Sequence, residues 1–209
     1  GTLDLPAAAR PLRALTRHRI KFTVTSPYML AKVLLDRYYR DRAALCMALA
    51  SVLAEQVRGV DADVIQIDEA NLTGHPEDAE LAAAAINLVL DAISPGRERA
   101  VHLCFGNYGG QTIQKGHYQA LISFLNRLHV DHVVLELARR GYSELEYLTE
   151  VEPRIGLGIG VIDIKDLQIE AADEVARRIE RAEQVLGPGR VRYVHPDCGL
   201  WMLPRSVAD

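Results

Sequence analysis

The sequence predicts an α/β fold built on parallel strands. Short β-rich runs alternate with longer helical patterns along the chain, several runs are apolar on both faces, and chemically capable side chains collect where the runs end. Strands alternating with helices need crossover connections, which make neighbouring strands parallel. Runs apolar on both faces need cover on both sides. The C-terminal edge of such a sheet is where active sites are built.

The elements follow in order. Residues 21–25 read as a strand, and 28–57 as a long helical pattern rich in Ala and Leu. Strand 63–68 is followed by Thr73-Gly74-His75-Pro76, where Pro76 suits the first turn of a helix over 78–93. Ser94-Pro95-Gly96 stops that helix before a strand at 100–105. A helical pattern over 111–128, a strand at 132–137 and a short helical stretch at 143–148 come next. Strand 158–164 leads to helix 169–186, which Gly187-Pro188-Gly189 closes before strand 191–195. Residues 204–209 read as the first turn of a helix cut short. Six strands fall short of a closed eight-stranded barrel. Periodicity therefore leaves two forms open: a doubly wound sheet, or most of a barrel without its opening strands and last helix. With no repeat, low-complexity tract or linker in sight, residues 1–209 read as a single domain.

Composition narrows the function classes. The 209 residues carry a formal charge of −4 with both signs interspersed and no basic stripe, which argues against a nucleic-acid partner. No apolar run approaches the roughly 18 residues of a membrane span, and the N-terminal residues show no signal-peptide layout, so the expected compartment is the cytoplasm. Cys46, Cys104 and Cys198 are too few, and odd in number, for a disulfide framework. Reduced thiols or metal thiolates are the expectation. Apolar neighbours at helical spacing assign Cys46 to the core.

His102 and Cys104 are the informative pair. Residues i and i+2 of a strand project to one face, so imidazole and thiol would emerge together at the strand's end. That is half of a zinc site. Two candidates to complete it, Glu136 and Cys198, each end another apolar run. Each residue alone has a bland alternative: a packed His–Cys pair, a salt-bridged acid, a small buried hydrophobe. Together, two thiolates and a carboxylate on Zn²⁺ would leave the site at a net charge of about −1. Water on so electron-rich a metal is a poor acid, whereas a substrate thiol is softer and remains nucleophilic as thiolate. Alkyl transfer to sulfur is the chemistry such a site suits. Gly156, Gly158 and Gly160 alternate singly and run into a strand, unlike a dinucleotide turn.

Five blocks, in order, resemble the catalytic domain of the cobalamin-independent methionine synthases. Gln66-Ile67-Asp68-Glu69-Ala70-Asn71-Leu72 resembles that family's Q-I-D-E-P-A-L, His102-Leu103-Cys104 its H-x-C, and Leu135-Glu136 its strand ending in a ligand glutamate. Gly160-Val161-Ile162-Asp163 is similar to its G-V-Y-D, and Pro196-Asp197-Cys198-Gly199-Leu200 to its P-D-C-G-L, the most specific block. The resemblance implies a (β/α)8 TIM-type barrel of which this chain holds strands three to eight. It implies zinc on His102, Cys104, Glu136 and Cys198, and a zinc-dependent methyltransferase that converts homocysteine to methionine. Asp68, within the block holding Gln66 and Glu69, would bind the substrate's amino group, a sensible carboxylate–ammonium pairing. The methyl donor implied is a folate or a methylcorrinoid. A second chain completing the barrel, or an oligomer, is a further expectation.

The chain departs from the pattern on the donor side. Where folate-using members carry a proton-donating histidine after G-V-Y-D, Lys165 stands here with Asp163 before it; these two are the candidate catalytic residues on the donor side, although lysine is ordinarily the weaker acid. Thr25-Ser26-Pro27-Tyr28-Met29 replaces T-G-P-V-T, and the one tryptophan, Trp201, lies elsewhere. These features resemble the short single-barrel relatives. The coenzyme M transferases, a related branch acting on another thiol, lack an equivalent of Glu136. Two alternatives follow: an alkyltransferase for another small thiol, and a non-catalytic barrel subunit of a larger assembly.

Overall fold

A computed structural model describes residues 3–209. Six strands, β1 (Lys21–Thr25), β2 (Val64–Glu69), β3 (Glu98–Leu103), β4 (His132–Leu135), β5 (Gly156–Ile162) and β6 (Val191–Pro196), form one sheet in sequential order. All five pairings are parallel. The sheet curls, because Lys21 Nζ on the first strand lies 5.6 Å from the ring centroid of Tyr193 on the last. Sequential parallel order with curl is the arrangement of a (β/α) barrel, not of a doubly wound sheet, whose strand order reverses.

The helices that cover the outside are α1 (Leu5–Leu15), α2 (Pro27–Val33), α3 (Arg42–Val57), α4 (Ala79–Asp91), α5 (Ile122–Arg127), α6 (Leu145–Leu148) and α7 (Ala172–Leu186), with a last turn α8 (Arg205–Ala208). Alternation along each strand divides the molecule. Outward-facing Ile65, Ile67, Val101, Leu103, Val133, Leu135, Leu157 and Ile159 are buried against the helices. Each such side chain contributes about 1.5–3 kcal/mol by leaving water. The inward face is polar: Gln66, Asp68, Glu98, His102, His132, Tyr193 and His195 share the barrel interior, so these strands are less uniformly apolar than expected. Cys46 is fully buried in the core, as its helical neighbours predict.

Local chemistry explains where the structure departs from the sequence pattern. The helical pattern over 28–57 is split, because the Asp36 carboxylate accepts the amides of Tyr38, Tyr39 and Asp41 and pulls the chain out of helix. Asp41 then caps α3 through the amides of Ala43 and Ala44. Within 111–128 only a 3-10 turn, Tyr118–Leu121, and α5 are helical; Ile113 and Gln114 instead donate to Phe105 O. Helix α1, which carries Pro11 in its interior, had no counterpart among the expected elements. β3 and β5 begin and end two residues earlier than expected. Cys104, Glu136, Asp163 and Lys165 consequently sit just past their strands, on the loops of the C-terminal edge.

The glycines of β5 also find their reason here. A Cβ at Gly160 would overlap Asp197 Oδ1, and one at Gly158 would stand 3.3 Å from His195 Nε2. β5 thus leaves its inner face bare so that His195 of β6 and Asp197 just beyond it can fold across it. No described helix is long and apolar enough to cross a membrane.

Candidate metal centre

Parallel pairing aligns the site. Asp68 of β2 registers with His102 of β3, and His102 with Val134 of β4. His102 Nδ1 lies 3.1 Å from Val134 O, and a carbonyl can only accept, so Nδ1 carries the proton and Nε2 is left with its lone pair. Nε2 is buried with no hydrogen-bond partner among the described residues. It faces sulfur. His102, Cys104 and Cys198 bring one nitrogen and two thiols within 4.8 Å of one another.

Each candidate ligand is held from behind. The amide of Cys104 donates to Glu69 O at 3.0 Å, its carbonyl accepts from Thr73 Oγ1 at 2.9 Å, and its sulfur accepts from Gly106 N at 3.3 Å. Gly106 has φ +80°, a conformation that favours glycine and turns the amide back to the sulfur. Next to Cys198, buried Asp197 accepts the amides of Leu137, Ala138 and Arg139 at 2.8–2.9 Å. Those amides belong to the loop after Glu136, so one carboxylate ties the Cys198 loop to the Glu136 loop.

The electrostatics suit a cation. The Cys104 thiol, with His102 behind it, draws Cys198 well below the usual thiol value despite burial. Cys104 is pushed up in turn, through the proton it shares with Cys198 and through burial. Burial opposes protonation of His102, but Cys198 and Asp68 outweigh it and raise its pKa. One proton among three donors is the arrangement a metal ion replaces. A nitrogen-and-two-sulfur set with an orphaned buried nitrogen fits zinc, which favours such donors.

The other sequence-predicted residues are distributed around this group. Glu136, 1% exposed, lies outside the cluster of three; it forms a buried ion pair with Lys165, and its Oε2 accepts from Phe105 N at 3.3 Å. Asp68 Oδ1 accepts from Gln66 Nε2 at 2.7 Å, while Gln66 Oε1 accepts from Lys21 Nζ at 2.8 Å, so a polar chain leads along the barrel interior to His102. Burial pushes the pKa of Asp68 up, against the pull of His102. Glu69 turns to the helix side, as alternation demands. There it accepts the amides of Asn71 and Leu72. Asp163 accepts from Arg139 Nη1 at 3.1 Å and from Lys165 N at 2.9 Å.

Three contributors had no signal as such in the sequence reading. Tyr118 accepts from Glu136 N and donates to Leu103 O, both at 2.8 Å, joining the ends of β4 and β3. Lys21 supplies the cation behind Gln66. Asp197 was visible as a neighbour of Cys198 but not as a tether.

The comparisons with known proteins bear on family and fold. A family model described as the catalytic domain of cobalamin-independent synthase matches residues 7–208. Methionine synthase of Pyrococcus abyssi is 31% identical over 196 residues, covering 92% of this chain and 54% of that protein. The Saccharolobus solfataricus methionine synthase is 29% identical over 192 residues, again 54% of its length. The chain spans about half the length of the curated relatives it matches. Among solved structures, a B12-independent methionine synthase from Shewanella sp. W3-18-1 in complex with selenomethionine superposes with a TM-score of 0.87 at 22% identity, covering 100% of this chain and 63% of that one. A putative vitamin-B12-independent methionine synthase from Listeria monocytogenes gives 0.73 at 19% identity, covering 96% and 64%. At such identities the likeness speaks for the fold alone.

Proposed function

The chain belongs to the family of the cobalamin-independent methionine synthase catalytic domain, and on that premise we propose that it serves a zinc-dependent transfer of a methyl group to the thiol of homocysteine, giving methionine. The observation that carries the reading is the buried, unpartnered His102 Nε2 facing the sulfurs of Cys104 and Cys198. These three residues would hold zinc, with Glu136 the adjacent carboxylate of the family's ligand set. Zinc, when bound, supplies a Lewis acid that favours the thiolate form of a substrate thiol.

The rest is the work of the chain's own side chains. Asp68, fixed by Gln66, offers a carboxylate to the substrate ammonium beside His102. Glu69 supports that position from the helix side by holding the turn at Asn71 and Leu72. Asp163 and Lys165 are the candidate catalytic residues that would assist on the side of the methyl donor, a methylfolate or a methylcorrinoid. Sulfur forms its bond to the methyl carbon as the donor's bond to that carbon breaks; the bond electrons leave with the donor, and the thiol proton passes to solvent. Holding both partners in line supplies much of the rate. Reduced ligand thiols fit the cytoplasm.

A methyl-transfer assay pairing homocysteine with methyl-tetrahydrofolate and, separately, methylcobalamin tests the reading. Turnover with either donor, lost on chelation and restored by zinc, is the expected result; failure of the protein to bind about one equivalent of zinc rejects it.

A second reading rests on the sheet edges. Among the described residues β1 pairs only with β2 and β6 only with β5, and exposed strand edges attract partners. A further chain pairing those edges would make this domain one part of an assembly. Sedimentation of the purified chain alone and with candidate partners decides the matter.

A further inference from the structure

The polar chain on the inner face of β1 and β2 ends on Asp68, and every link in it has a fixed direction. Lys21 registers with Val64, so its side chain reaches diagonally to Gln66, two residues further along the same face. An ammonium can only donate. Lys21 Nζ therefore holds Gln66 Oε1 at 2.8 Å and leaves Nε2 of that amide to donate to Asp68 Oδ1 at 2.7 Å. Lys21 is held in turn from β6, its ammonium over the ring of Tyr193. Glu98, the carboxylate on that side, is engaged by Arg19 and Tyr193, so the Lys21 cation meets a neutral amide instead.

From this geometry, and resting on the homocysteine reading above, we infer that Lys21 is a positioning residue that sets the site's demand for an amino group on the substrate. It fixes which end of the Gln66 amide faces Asp68. Unlocked, a primary amide can turn over, and its oxygen would then face the carboxylate and push it from its place beside His102. A direct Lys21–Asp68 pair would serve no better, because it would neutralise the carboxylate that an incoming ammonium needs. The intervening amide passes on direction and leaves Asp68 its charge. The consequence is selective: an amino thiol gains from the arrangement, and a thiol without an ammonium does not.

The test is calorimetric titration of the zinc-loaded protein with homocysteine and with 4-mercaptobutanoate, the same thiol acid without its amino group. The wild type should bind homocysteine at least about tenfold tighter. Lys21→Met should weaken homocysteine binding by about tenfold and leave 4-mercaptobutanoate within about twofold, with the zinc dissociation constant unchanged. Removing a cation would by itself favour a cationic substrate, so the expected loss has the opposite sign to plain charge repulsion. Lys21→Arg keeps a donor and should restore most of the difference. Gln66→Met breaks the relay without adding charge and should abolish the preference for homocysteine; it decides the question even where Lys21→Met does not fold. Equal weakening of both thiols in Lys21→Met, or an intact preference in either variant, overturns the inference while leaving the thiol site standing. A wild type that binds the two thiols alike rejects the ammonium site at Asp68, and the inference with it.

Discussion

The two ends of the sheet carry polar clusters drawn from the same strands. β3 starts with Glu98 and ends with His102 and Cys104; β4 starts with His132 and runs into Glu136; Tyr193 of β6 precedes Cys198. At the starting end Glu98 pairs with Arg19 at 2.7 Å and accepts from Tyr193 Oη at 2.9 Å. His132 is fully buried there, its ring 4.5 Å from Tyr193 and its Nδ1 2.9 Å from Glu98 Oε1 but out of line for a hydrogen bond. Both ends therefore contain a buried imidazole with free nitrogen. What differs is the company: carboxylate, phenol and cations at one end, two thiols at the other. An orphaned nitrogen points to a metal site only when the atoms facing it are themselves soft, metal-capable donors. A cleft of about 580 Å³ at the starting end, lined by Arg19, Asp63, Glu98 and Arg192, makes the same point, since Arg19, Asp63 and Glu98 are already engaged in ion pairs.

Substitutions can break this contrast. Cys198→Ala should lower zinc affinity by roughly a hundredfold or more, read by chelator competition, whereas Cys46→Ala, in the core, should leave it unchanged.

At the other end the prediction concerns pH. Burial, helped by Lys21, lowers the pKa of His132 to about 4 from 6.5. Because the folded value is the lower one, the unfolded chain holds the extra proton between those limits. Stability is full above pH 6.5 and falls as pH drops toward 4. Relative to His132→Gln, the wild type should lose on the order of 3 kcal/mol across that window, measured by urea unfolding. Equal pH slopes in the two proteins would show that His132 is not buried neutral.

Asp197→Asn should cost about 2 kcal/mol by weakening three charge-assisted bonds, with a loss of zinc affinity because Cys198 follows directly. A stability loss without any change in zinc binding would separate the tether from the site. The smallest effect is expected for Glu98→Gln, about 1 kcal/mol, since its partner Arg19 is 63% exposed; zinc binding should not move.

Much of this was legible in the sequence. The parallel order follows from alternating periodicities, and the His102–Cys104 pair from the two-residue repeat of a strand, which needs no tertiary information. Cys198 could be joined to them because it, too, ends an apolar run. The split of the helix at Asp36 was hidden, since a single side chain capturing three amides outweighs a favourable pattern on either side. Likewise the Glu136–Lys165 pair joins residues 29 positions apart on successive loops, an approach that only the barrel's curvature creates. Gly158 and Gly160 could be excluded as a nucleotide turn, but their use as space for β6 side chains depends on register.

Asp197 gives the site a mechanical character. Since its carboxylate grips three successive amides of residues 137–139, the segment bearing Cys198 cannot drift from the segment bearing Glu136 without breaking all three bonds. Two loops from non-adjacent strands thus move as one jaw. Whatever enters the barrel mouth meets side chains whose spacing was set during folding, so its arrival need not organise them.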